Sequence, residues 1–324
     1  MKDNFEFIAF SETSLSKITS IRNGEVKLGQ KLLTMNDELA NANYFILGVS
    51  EDIGPQSNGG FGGSTTAFSA FLKRFVNIQS NQFLIGENIL VLGEIISNVE
   101  FQNINDGRKL VEELDLFVES ILSPLIIKGL IPIVIGGGHN NAFPLIKTIS
   151  KIIGNPISVI NFDPHADFRS LEGRHSGNPF SYAFDQGYLQ KYAVLGLHQS
   201  YNSQFILDQL KKHDFIFSFF DDYLIGNANF NEDLKIFFEY INVHKFGIEL
   251  DLDAISYMPS SAYSPSGMSI EAARTYILKM AKSKNVQYLH LPEAAPVGEK
   301  EETIAGKTLA YLVSDFIKAN SVGK

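Results

Sequence analysis

Along the 324-residue chain, short apolar runs alternate with longer amphipathic stretches. The runs are Tyr44–Gly48, Asn88–Leu92, Ile131–Ile135, Ile157–Ile160, Tyr192–Leu197, Phe215–Phe219, Phe246–Leu250 and Val286–Leu291. Each is nearly continuous in apolar residues, the pattern of strands covered on both faces in a parallel sheet. The strongest helix signal lies over 107–129. There Leu110, Leu114, Val118, Ile121, Leu122 and Leu125 share one face, Gly129 provides a stop, and Pro124 bends the last turns. Shorter helices are expected near 65–77, 141–153, 202–212, 232–242, 269–283 and 302–319. Alternation of this kind predicts an α/β fold of three layers, α/β/α, around an eight-stranded, mostly parallel sheet. No linker, repeat or low-complexity tract interrupts it, so residues 41–324 read as one domain and 1–40 as an N-terminal extension.

Composition narrows the chemistry. The chain has no cysteine, which removes thiolate metal sites, a cysteine nucleophile and disulfides. With 27 basic against 36 acidic residues, the net charge of −9 argues against nucleic acid or an anionic membrane as partner. No apolar stretch approaches the roughly 18 residues of a membrane span. The start carries Asp3, Glu6 and Glu12 with no signal-type run, so a cytoplasmic location is expected.

Three strand ends gather unusual side chains. Asp163-Pro-His165-Ala-Asp167 follows the strand ending near Ile160, and in extended backbone its three polar side chains point the same way. Asp251 and Asp253 end the run that begins at Phe246, and Gly136-Gly-Gly-His139 ends the run from Ile131. Ligands of open α/β sheets bind at the carboxyl ends of strands, so two histidines and four aspartates converge on one edge. Carboxylates crowded there repel one another and lose hydration unless cations lie between them. Six oxygen and imidazole donors suit two ions of the Mn²⁺, Fe²⁺ or Zn²⁺ type sharing bridging carboxylates.

These motifs resemble those of the ureohydrolases, the family of arginases, agmatinases and formimidoylglutamases. The resemblance runs from about residue 44 to 316 and takes in Gly48–Gly54, Gly173–Phe180, Ser264–Met268 and Pro292–Pro296. It implies an arginase-like fold and two Mn²⁺ ions. Asp163 and Asp251 would bridge the ions; His139 and Asp167 would complete one, and His165 and Asp253 the other. A hydroxide between the ions would attack an amidine or guanidinium carbon, and Glu293 would hold the substrate's cationic nitrogens. Homo-oligomers are the family's habit.

Departures from the arginase pattern point to a particular substrate. Arginases carry an acid where Gly138 stands, and a shuttle histidine where Ser176 stands; His175 lies one place earlier and is a candidate proton relay. The loop Gly196–Tyr201 lacks the acid that reads an α-amino group, and Phe61 stands where many relatives have arginine. Arg169 and Arg174 flank the metal motif and suit a substrate carboxylate, with Asn178 and Glu293 as further substrate contacts. The expected reaction is hydrolysis of N-formimidoyl-L-glutamate to L-glutamate and formamide. The alternatives are another ureohydrolase acting on agmatine, arginine, guanidinobutyrate or a smaller guanidine, or a metal-binding homologue without turnover. The glycine-rich segment 53–64 lacks the Gly-Lys-Ser/Thr ending of a phosphate loop. His198, His213, His244 and His290 read as structural or surface residues.

Overall fold

The computed structural model describes residues 4–97 and 99–322. Its strands are β1 (Phe5–Ala9), β2 (Tyr44–Ser50), β3 (Ile89–Ser97), β4 (Ile131–Ile135), β5 (Ile157–Phe162), β6 (Leu189–Leu197), β7 (Ile216–Phe219), β8 (Phe246–Leu250) and β9 (Val286–Leu291). They form one sheet in the order β1-β3-β2-β4-β9-β8-β5-β6-β7. Every pairing is parallel except that of β1 with β3.

The period-2 geometry of a strand divides the apolar runs between two layers. Tyr44 and Ile46 face one core with Ile133, Ile248 and Leu289; Phe45, Leu47 and Val49 face the other with Val134, Val159 and Tyr288. Helices Ala67–Phe75, Phe230–Ile241, Ile270–Met280 and Gly298–Val322 cover the first face. Helices Ile104–Ile127, Ala142–Ile153 and Gln204–Lys212 cover the second. Ile104–Ile127 starts at Asn103, whose side chain accepts from the Asp106 N–H, and Pro124 lies within its last turns.

The sheet has nine strands where eight were expected. The ninth, β1, lies within residues 4–40, which pack onto the body: Phe5, Leu15 and Leu28 are all buried. Only Phe5 of this strand is fully buried and Glu6 interrupts its apolar residues, as suits a strand at the edge of the sheet. The glycine-rich segment 53–64 begins with a short helix, Ile53–Ser57.

Candidate metal centre

Strands β4, β9, β8 and β5 are consecutive neighbours in the sheet, although they are far apart along the chain. Neighbouring strands lie ~4.8 Å apart, so their carboxyl ends can share one site.

The turn after β4 is built for close approach. Gly136 and Gly137 take φ of +84° and +70°, where a Cβ is penalised. A Cβ on Gly138 would lie 2.3 Å from Pro55 Cδ and 2.5 Å from Asn140 Oδ1, so no acid fits at that position. Buried Glu51 ties the turn together. Its Oε1 accepts from Gly138 N (3.0 Å), Asn140 Nδ2 (3.2 Å) and Asn141 Nδ2 (2.8 Å), and its Oε2 accepts from the N–H groups of Ile53 and Gly54.

Two aspartates reach this turn by the same device. Asp163 Oδ1 accepts from His165 N at 2.7 Å, and Asp251 Oδ1 accepts from Asp253 N at 2.7 Å. Each of these turns leaves the other carboxylate oxygen facing His139, that of Asp163 also accepting from Asn161 Nδ2 at 2.9 Å. The shared direction of the motif residues therefore comes from side-chain-capped turns; the strands end at Phe162 and Leu250. His139 Nδ1 lies 3.2 Å from Asp163 Oδ2, 2.9 Å from Asp167 Oδ2 and 3.0 Å from Asp251 Oδ2. It nevertheless makes a directed hydrogen bond to none of them. His165 Nδ1 stands 3.5 Å from Asp163 Oδ1 and 4.0 Å from Asp253 Oδ2, with its ring stacked on Tyr201.

Burial and mutual repulsion set the charges. Burial raises Asp251, and the charges of Asp253 and Asp163 raise it further. Burial likewise raises Asp167, with help from Asp163, and it raises Asp253 despite the nearby His165. Burial alone would depress His165, but Asp163, Asp253 and Asp167 lift it to about 10. His139 behaves in the same way: burial is outweighed by Asp163, Asp167, Asp251 and Glu249, and it rises well above its usual value. In the absence of a metal, protons take the place of cations. A buried imidazole nitrogen facing three carboxylate oxygens without a hydrogen bond is a donor set suited to a cation. Mixed imidazole and carboxylate donors match Mn²⁺ and its neighbours.

Glu293, just after β9, adjoins this cluster with φ +68°. It accepts from His139 N at 2.7 Å and from the Ser261 hydroxyl. Burial and the charge of Asp253 push its carboxyl up to about 8.

The arginase-family model matches residues 44–317. The chain belongs to the arginase family. The formimidoylglutamase of Macrococcus caseolyticus is 24% identical over 265 residues, 81% of this chain and 79% of the relative. That of Halalkalibacterium halodurans is 27% identical over 203 residues, covering 59% and 61% of the two chains. The Bacillus subtilis formimidoylglutamase structure superposes with a TM-score of 0.75 at 19% identity, covering 93% of each chain. The Trypanosoma cruzi formiminoglutamase solved with Mn²⁺ gives a TM-score of 0.71 at 20% identity, covering 90% of this chain and 98% of that one. The arginase-like fold expected from the motifs is the fold observed.

Two expected substrate contacts, Arg174 and Asn178, and the candidate relay His175 have their polar atoms committed elsewhere. Arg174 is buried. Its Nε donates to Asp115 Oδ2 (2.9 Å), its Nη2 to Asn140 O (2.8 Å) and its Nη1 to Asn178 Oδ1 (2.9 Å), and the guanidinium lies over Phe143 and Tyr182. Asn178 also accepts from His175 N and donates to the carbonyls of Gly173 and Ser170. His175 is equally closed in. Its Nδ1 accepts from Gly177 N, and its Nε2–H donates to Glu172 Oε1 at 3.1 Å. Burial, then Arg169, depress it to about 4, which leaves no mobile proton near neutral pH. These three residues shape the loop. Arg169 is the more available cation, half exposed and paired with Glu172 (2.7 Å) and Asn58 (2.9 Å).

Sequence reasoning missed Glu51 and Glu249 and left His290 as structural or surface; all three are fully buried at 0% exposure. Glu249 and His290 interrupt the apolar runs of β8 and β9. A charged or polar side chain in a strand buried on both faces needs an internal partner, and that was the available signal.

Proposed function

We propose that this chain hydrolyses N-formimidoyl-L-glutamate to L-glutamate and formamide at a dinuclear Mn²⁺ centre. In this reading His139, Asp163, Asp167 and Asp251 would hold one ion, and Asp163, His165, Asp251 and Asp253 would hold the other. The observation that carries it is the convergence of three carboxylates on the unpartnered Nδ1 of His139. The formimidoylglutamase relatives support the choice of substrate. When bound, the ion pair supplies Lewis acidity that brings a water toward ionisation at neutral pH.

The chain's own residues do the rest. Water adds its oxygen to the amidine carbon, the bond from that carbon to the glutamate nitrogen breaks, and that nitrogen leaves with a proton. Glu293, beside the cluster, orients the cationic amidine and balances its charge. Arg169, at the exposed edge of the loop, exchanges Glu172 for a substrate carboxylate. Gly138 leaves no side chain at the position where arginases place an acid, which suits an amidine carried by an acidic substrate.

We take residues 41–324 as the catalytic domain of a cytoplasmic homo-oligomer with no nucleic-acid or membrane partner. Its acidic charge supports the lack of a nucleic-acid partner, no helix among the described residues is long and apolar enough to cross a membrane, and residues 4–40 pack onto this domain. The test is product analysis of the Mn²⁺-loaded protein with formimidoylglutamate, arginine and agmatine side by side. Formamide and glutamate in equal amounts from the first are expected. Urea from a guanidine, with no formamide, overturns the proposal.

A further inference from the structure

Behind the carboxylate cluster, on the sheet side of His139, lies a second polar group inside the apolar strands. Glu249 of β8 is buried between Tyr288 and His290 of β9. The Tyr288 hydroxyl donates to Glu249 Oε1 at 2.6 Å, and His290 Nδ1–H donates to Oε2 at 2.6 Å. Cross-strand pairing fixes the arrangement, with Glu249 directly opposite His290 in the parallel ladder. The remaining neighbour of Oε2 is the other nitrogen of the His139 ring, Nε2, at 3.5 Å; that nitrogen is buried and makes no directed hydrogen bond here, and Oε2 is the carboxylate oxygen beside it. His139 is thus held between two acidic environments, three aspartates at Nδ1 and one glutamate at Nε2. The two rings stand edge to face at 5.8 Å between centroids.

A histidine that binds a metal through Nδ1 must carry its proton on Nε2. That proton needs an acceptor that cannot itself donate. A carboxylate already receiving Tyr288 and His290 meets the requirement: its lone pairs are anchored and it offers no proton. Here we propose, resting on the dinuclear reading above, that Glu249 is a positioning residue. It accepts the Nε2 proton of His139 and so fixes the ring with the Nδ1 lone pair turned to the ion held with Asp163, Asp167 and Asp251. Tyr288 and His290 hold Glu249 in place for this task. The buried carboxylate inside the apolar strands thereby acquires a reason: without it the ring is free to take the other tautomer, with Nδ1–H pointing at the aspartates and no ligand for a metal.

Outer partners of metal-bound histidines typically contribute about 10- to 100-fold in metal affinity. The test is a Mn²⁺ titration followed by calorimetry and by electron paramagnetic resonance. In Glu249→Leu, which removes the acceptor and keeps the bulk, one of the two ions is expected to bind about 10- to 100-fold more weakly. At concentrations that fill both positions in the parent, the coupled-pair signal then gives way to that of a single ion. Glu249→Gln, which keeps one acceptor oxygen, restores most of the loss. A residue that merely filled space would lower the melting temperature of the metal-free protein and leave the two affinities in their original ratio; that result overturns the proposal.

Histidine-selective ¹⁵N spectra of the parent loaded with diamagnetic Zn²⁺ give an answer even if Glu249→Leu does not fold. His139 protonated at Nε2 is expected, and protonation at Nδ1 refutes the inference. Parent protein that binds fewer than two Mn²⁺ ions refutes the dinuclear reading and this one with it. Two ions bound equally well by parent and Glu249→Leu refute only this one.

Discussion

At the scale of single residues, charge and burial decide which of the loop's side chains are available for chemistry. Asp163 turns one oxygen inward to cap its own loop and the other toward His139, so it has no substitute. Asp163→Ala is expected to lower kcat/KM by about a thousandfold or more, since each 1.36 kcal/mol removed from transition-state stabilisation is tenfold. Metal analysis should show at least one ion lost; full activity with two ions bound would contradict the bridging role. The two arginines are expected to separate cleanly. Arg169→Ala should raise KM for formimidoylglutamate about tenfold, as the loss of a charge-assisted hydrogen bond predicts, and leave thermal stability nearly unchanged. Arg174→Ala strands buried Asp115, whose carboxyl burial already raises to about 6 against the pull of Arg174. A loss of about 3 kcal/mol or more in chemical denaturation is expected there. Sequence alone could not distinguish the two, because flanking a motif says nothing about which cation the fold buries.

At the scale of elements, the strands were legible because burial on both faces leaves a mark on the sequence, and eight runs correspond to β2 through β9. β1 left no such mark. It is held by an antiparallel ladder with β3, Phe5↔Ser97 to Ala9↔Gly93, and by Phe5 against Phe117. The metal motifs were legible because they combine residue types that seldom share a strand end, whereas Glu51 looked like an ordinary loop acid. Its partners are backbone N–H groups and two asparagines, and a hydrogen bond to the main chain carries no sequence signature. The turn after β4 supplies the prediction for this scale. Gly137→Ala places a Cβ at positive φ, 2.6 Å from Asn141 Nδ2 and 2.9 Å from Glu51 Oε1. A clear fall in melting temperature and weaker Mn²⁺ binding are expected together, read by calorimetry. An unchanged melting temperature would show that the turn tolerates a side chain.

Across the whole molecule, the acid-rich pocket couples stability to pH. In the metal-free protein Asp167, Asp251, Asp253 and Glu293 titrate above their unfolded values, so the folded chain holds extra protons that are released as pH rises. His139 and His165 are also raised, and their contribution is fully present below about 6.5 and is lost as pH climbs toward 10. Both sets act in the same direction. Asp163 and Glu249 are depressed and contribute in the opposite sense, losing their stabilisation only under acid conditions. The melting temperature of metal-stripped protein should therefore fall between pH 6 and pH 9, and added Mn²⁺ should raise it most at the alkaline end. A melting temperature flat across that range would contradict the arrangement.

The left-handed backbone at Asp167, φ +45°, brings a further cost to the same pocket. Asparagine accepts that conformation as readily as aspartate and brings no charge to add to that of Asp163. Asp167→Asn should then yield a chain that survives a heat challenge better than its parent when both are stripped of metal, while turning over nothing. The working enzyme thus keeps the more fragile form, because its activity requires the very carboxylates whose crowding only its ions make tolerable.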